Sequence, residues 1–82
     1  MKITVRVFGR YKDFTGKEIV HLDITEGNTL RDVVDIFVKL FPLAEKDKNR
    51  IMVTKNKMLA SFDTTVNERD EVTLSPPVVS GG

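Results

Sequence analysis

Apolar residues along this chain change period several times, and each change marks an element. Residues 3–8 alternate: Ile3, Val5 and Val7 share one face, while Thr4, Arg6 and Phe8 share the other. A period of two predicts a strand with one buried face, and it leaves Phe8 as an aromatic on the polar side. Residues 17–24 alternate again, with Val20, Leu22 and Ile24 inward. Gly9 and Gly16 bracket the polar stretch between them, so the two strands read as a hairpin with a longish loop. Within that loop, Tyr11 and Phe14 serve either a small core of their own or a partner contact.

The period then lengthens. Gly27-Asn28 breaks the chain, and Thr29-Leu30-Arg31-Asp32 has the form of a capping box, in which Thr29 accepts from the Asp32 amide and Asp32 reaches back. Leu30, Val33, Val34, Phe37, Leu40 and Phe41 follow at helical spacing. The helix is expected to run to about Leu40 and to stop at Pro42. Val33, Val34, Ile36 and Val38 are poor formers of an isolated helix, so packing against a sheet must hold it, with Phe37 and Phe41 in the core.

Residues 43–49 read as a charged, solvated link. Residues 51–54 predict a strand with Ile51 and Val53 inward, residues 55–57 a turn, and Met58-Leu59 a short edge strand. A connecting segment at 61–69 leads to a last strand at 71–75 with Val72 and Leu74 inward, and Phe62 plugs a loop or the core. Proline cannot donate to a ladder, so Pro76-Pro77 ends the sheet. The order β-β-α-β-β-β predicts an α+β domain over residues 1–75, a mixed sheet packed on one main helix, with the last strand beside the first. Residues 76–82 are expected to form a flexible tail.

Composition narrows the chemistry. The 82 residues include no cysteine and one histidine, His21, which faces outward between Val20 and Leu22. That argues against disulfides and metal sites. It also means that any sulfur this protein carries cannot ride on its own thiol. Thirteen basic and twelve acidic residues are interspersed for a net charge of +1, which points away from nucleic acid and anionic membranes. No stretch is apolar enough to span a bilayer, and no signal-peptide pattern opens the chain; a soluble, cytoplasmic protein is the expectation. No nucleophile–base pair or phosphate loop occurs, which argues against an independent active site.

The informative end is Pro76-Pro77-Val78-Val79-Ser80-Gly81-Gly82. Diglycine has no Cβ atoms, so it can thread a tunnel that any side chain would block, with the carboxylate leading. A carboxylate on a slim tail can be adenylated by ATP and then attacked by a nucleophile. The plain alternative is a frayed end or a cloning remnant. Pro76 and Pro77 end the strand and also restrict the tail to extended forms, lowering the entropy lost on insertion. Val78 and Val79 are apolar residues suited to line a partner's channel.

These residues resemble the MoaD/ThiS branch of the ubiquitin-like β-grasp family, and in wording the small, sulfur-carrying subunits of molybdopterin synthase. The resemblance is carried by Val7-Phe8-Gly9 through Thr15-Gly16 and by the helix start at 27–32. Its most specific part is Leu59-Ala60-Ser61-Phe62-Asp63, Asp70-Glu71-Val72, Pro76-Pro77-Val78 and Ser80-Gly81-Gly82. The chain departs from the family in two places. Val79-Ser80 puts two residues where one is usual, lengthening the tail by ~3.3 Å, and Ser75 stands where a large apolar residue is frequent.

The resemblance implies a carrier cycle. An ATP-dependent adenylating enzyme activates the Gly82 carboxylate and sulfur replaces AMP, giving a thiocarboxylate. The tail, with Gly81 and Gly82 leading and Pro76, Pro77, Val78, Val79 and Ser80 behind, enters the large synthase subunit. There the sulfur passes to a pyranopterin precursor of the molybdenum or tungsten cofactor. Phe8 and Leu59 would contribute to the large-subunit interface, in an assembly of two small and two large subunits. No cofactor is expected on the chain itself, ATP being used by the activating enzyme. Other readings are a carrier for thiamin or tRNA thiolation, a ubiquitin-like modifier conjugated through Gly82, and a plain interaction domain with an inert tail.

Overall fold

The computed structural model describes residues 1–78. Strand β1 (Lys2–Val7) is followed by helix α1 (Arg10–Thr15), strand β2 (Ile19–Asp23) and the main helix α2 (Leu30–Leu40). A 3-10 helix (Pro42–Asp47) then leads to β3 (Met52–Lys55), β4 (Met58–Leu59) and β5 (Val72–Ser75). The strands form one sheet in the order β2-β1-β5-β3-β4. β5 lies at its centre, parallel to β1 and antiparallel to β3, so the last strand does insert beside the first.

The inner face of the sheet is the core. Ile3, Val5, Val7, Val20, Leu22, Val53, Val72 and Leu74 are all buried there against Leu30, Val33, Val34 and Phe37 of α2. This burial is what keeps a β-branched helix helical. Its start has the anticipated capping box: Asp32 N donates to Thr29 Oγ1 at 3.4 Å, and Thr29 N donates to Asp32 Oδ2 at 2.9 Å. Two further amides of the first turn are taken by the connecting segment, Leu30 N by Thr64 O at 2.9 Å and Arg31 N by Phe62 O at 3.0 Å. Phe62 is half-buried under the Arg31 guanidinium, 4.6 Å above its ring.

Several sequence expectations are corrected. The stretch between Gly9 and Gly16 is not a plain loop, because residues 10–15 form α1. Gly9 sits at φ 59°, ψ −139°, and Tyr11 N bonds back to Phe8 O at 3.2 Å. This is a turn that places glycine at its first central position. Gly16 closes the helix in the left-handed region. Tyr11 and Phe14 resolve in favour of a core. Tyr11 is fully buried and Phe14 packs against the core, their rings 5.3 Å apart, with Phe37 5.4 Å from Tyr11 and Phe41 6.2 Å from Phe14.

The supposed solvated link at 43–49 is largely the 3-10 helix, and it buries Ala44 and Asp47. Asp47 Oδ2 accepts from Tyr11 Oη at 2.8 Å and from the Arg10 guanidinium, tying this helix to α1. Burial alone would raise the pKa of Asp47, but those two hydrogen bonds outweigh it and hold the carboxyl below its usual range. Burial first, and the Asp47 hydrogen bond second, push the Tyr11 phenol upward. At the end of α2, Leu40 is exposed and Val38 is buried in its place, while Phe41 is half-buried.

Candidate functional site: the outer sheet face and the tail root

The opposite face of the sheet is assembled by register. Residues paired across a ladder point to the same side. The pairs Ile19↔Arg6, Arg6↔Thr73, Thr73↔Thr54 and Thr54↔Leu59 therefore make one row across all five strands. Arg6 and Ile19 alternate with buried neighbours and are exposed. Thr54 and Thr73 share a hydrogen bond in the middle of the row. The next row toward the tail contains Ser75 and its partner Met52, both half-exposed.

Phe8 lies one residue beyond β1, where its amide bonds Leu74 O at 3.1 Å and its side chain is 46% exposed. Leu59 is 73% exposed on the edge strand. Phe8 and Leu59 thus flank β5 and do not touch. Three strand spacings separate β1 from β4, about 14 Å. The threonines, Ser75 and Met52 fill the space between them.

β4 is held at the rim by a two-residue turn. Asn56 and Lys57 both adopt positive φ, 53° and 72°, as a tight hairpin requires. Asn56 is pinned to β5's entry. Its amide donates to Glu71 O at 2.7 Å, its Oδ1 accepts from Glu71 N at 2.9 Å, and its Nδ2 donates to Asp70 at 3.0 Å. That last bond, helped by the Asn67 amide, keeps the Asp70 carboxyl below its usual range.

The tail root is equally defined. Pro76 and Pro77 follow β5 directly and are half-buried, while Val78 is 79% exposed. Pro76 rests on Gly9. A Cβ at Gly9 would lie 3.2 Å from Pro76 Cγ and 3.3 Å from Cδ, tighter than ordinary contact. Gly9 therefore both makes the β1–α1 turn and gives the tail its seat. The Gly9–Gly16 bracket was its only sequence signal, and the link to Pro76 was not visible there. Val79, Ser80, Gly81 and Gly82 lie outside the described residues.

Among the described residues no cluster of three or more His, Asp or Glu is placed to hold a metal, and no helix is long and apolar enough to cross a membrane. His21 faces out and meets Thr4 Oγ1 at 3.2 Å.

A mixed five-strand sheet wrapped on one main helix, with parallel first and last strands and a tail leaving the central strand, defines a ubiquitin-like β-grasp protein. Within that class the chain belongs to the ThiS family, whose profile matches residues 5–82. It is 29% identical over 82 residues to the molybdopterin synthase sulfur carrier subunit of Arabidopsis thaliana, covering 100% of this chain and 84% of that protein. The structure of small archaeal modifier protein 1 from H. volcanii superposes with a TM-score of 0.79 at 25% identity, over 94% of this chain and 98% of that one. The complex of subunits 1 and 2 of molybdopterin-converting factor from Helicobacter pylori contains a chain of the same fold. It matches with a TM-score of 0.64 at 23% identity, over 99% of this chain and 100% of that one.

Proposed function

We propose that this protein is a sulfur carrier whose Gly82 carboxylate is adenylated and thiocarboxylated, and that it donates the sulfur within molybdopterin synthase. The observation that carries the reading is the family match over residues 5–82, a range that includes Ser80-Gly81-Gly82. An activating enzyme joins the Gly82 carboxylate to the AMP portion of ATP and releases pyrophosphate. A sulfide equivalent then displaces AMP: a carbon–sulfur bond forms and the carbon–oxygen bond to phosphate breaks. The thiocarboxylate is a strong nucleophile at neutral pH, and its sulfur attacks a carbon of the pyranopterin precursor held by the large subunit, forming a carbon–sulfur bond as a carbon–oxygen bond of the precursor breaks and that oxygen substituent leaves. Hydrolysis of the resulting acyl–sulfur bond returns the carboxylate. The chain itself holds no cofactor in this cycle, and its cytoplasmic partners are the adenylating enzyme and the large subunit, two copies of each synthase subunit per assembly.

The layout suits a cosubstrate. Gly9 seats Pro76 at the root of the tail, while Phe8 and Leu59 offer apolar contacts on either side of that root. Fixing the first tail residues lowers the ordering cost when Val78, Val79, Ser80, Gly81 and Gly82 enter a channel.

The test is intact mass spectrometry after incubation with ATP, a sulfide donor and the activating enzyme, beside a Gly82 deletion. The expected result is a gain equal to sulfur replacing one oxygen, absent in the deletion. An unchanged mass with a competent enzyme would overturn the reading. The likeness to the archaeal modifier favours a second use of the same terminus, conjugation to lysines, which would show as isopeptide-linked products.

A further inference from the structure

Arg6 is the unusual residue of the outer face. It stands on β1, one strand from the centre of the sheet, paired across to Ile19 and Thr73. Among the described residues it makes no ion pair. Glu18, on the neighbouring strand's approach, is held by Lys12 at 2.9 Å, the main cause of its lowered pKa, with the Arg6 charge a lesser one. Among the outer-face strand positions the one acid is Asp23, at the far end of β2, with the Met1 ammonium 3.5 Å away. Among the described residues Arg6 is therefore a guanidinium without a carboxylate partner, set in a face whose apolar members are Ile19, Phe8, Met52 and Leu59.

Such a face selects its partner by charge as well as by shape. Aliphatic and aromatic neighbours exclude water around the guanidinium once a second surface is seated. A charge desolvated without a counter-charge is strongly unfavourable, so a surface that covers Arg6 must bring an acceptor. A free anion is a poor candidate. The backbone amides of β1 and β5 around Arg6 are engaged in the ladders, so one side chain would have to bind it alone. A side-chain carboxylate on a protein surface matches the planar fork and arrives with apolar groups to meet the rim.

We propose that Arg6 is the specificity-determining charge of this docking face and that the large subunit meets it with an Asp or Glu carboxylate. The proposal rests on the preceding assignment of this face to that partner. The test is the Kd of the full chain with its large subunit, at low and high salt, for wild type, Arg6→Ala, Arg6→Glu and the same-face control Lys2→Glu. Far-UV circular dichroism checks that each variant is folded. Arg6→Ala is expected to raise Kd roughly tenfold and Arg6→Glu more, with Lys2→Glu within about twofold of wild type. Wild-type affinity should also fall more steeply with salt than that of Arg6→Ala. A folded Arg6→Ala that binds like wild type, with the same salt dependence, would overturn the proposal and leave the carrier reading standing. Failure of the wild-type chain itself to bind would overturn both.

Discussion

The two faces of the sheet are made from alternate residues of the same strands, yet they are different surfaces. On β1, Ile3, Val5 and Val7 are buried, while Lys2, Thr4 and Arg6 are exposed. The inner set packs on α2 and supplies the hydrophobic burial that stabilises the fold. The outer set has no such duty, which leaves Arg6, at the end of β1 nearest Phe8, open to recognition. The pleat thereby separates the residues that stabilise the fold from those proposed for docking, one residue apart along the chain. The tail joins the two, because it leaves from the end of β5, whose Leu74 belongs to the core and whose Ser75 belongs to the outer face.

The sharpest way to break this contrast is a pair of truncations. Leu74→Ala on the inner face should cost about 3–5 kcal/mol and leave the small domain marginal. Leu59→Ala, with its side chain 73% exposed, should change stability by less than about 0.5 kcal/mol. Urea unfolding measures both. Affinity for the large subunit should reverse the order among folded variants, with Leu59→Ala the weaker binder.

A smaller effect is expected at Gly27, where φ is 85° and a Cβ would fall 2.2 Å from the Asp32 carboxylate that caps α2. Gly27→Ala should cost about 2 kcal/mol, from left-handed strain and loss of the cap together. The same unfolding experiment should show it, with sulfur loading of the folded fraction unaffected.

The smallest effect belongs to the Tyr11–Asp47 tie, and it is best read through pH. Asp47 has a depressed pKa in the fold, so its contribution is fully present above about pH 4 and is lost as pH falls through the folded value. Tyr11 has a raised pKa, so stability is full below about pH 10 and declines as pH rises past that point. Tyr11→Phe should lose about 1–2 kcal/mol at neutral pH. It should also flatten the wild-type decline at both extremes, measured by thermal melts across pH.

The strands, the main helix and its cap were legible because each rests on a local rule: period two, period 3.6, and a Thr-x-x-Asp box. What escaped were the features made by distant partners. The helix at residues 10–15 shows only Tyr11 and Phe14, too short a repeat to declare a period. Its anchor, Asp47, is 36 positions away. Asp47 itself sits among charges, Glu45, Lys46 and Lys48, that read as solvated. Leu40 satisfied the helical spacing, yet it is the last residue of α2 and stays exposed. For the site, Phe8 was visible as an aromatic out of phase and Leu59 as part of an edge strand. Arg6 was visible on the polar face beside Phe8, but the Gly9–Pro76 seat and the row that pairs Arg6 with Thr73 needed the parallel register of β1 with β5.

Following the sulfur itself decides whether Gly82 is a carrier. The chain would be loaded at Gly82 with isotopically labelled sulfur and mixed with the large subunit and the pyranopterin precursor. If Gly82 carries the sulfur, the label leaves the protein, appears in the sulfur-bearing pterin product, and leaves an ordinary carboxylate on Gly82. Label retained on Gly82 in the presence of a competent large subunit and precursor, or a terminus recovered only in isopeptide linkage to lysine, would contradict the carrier reading.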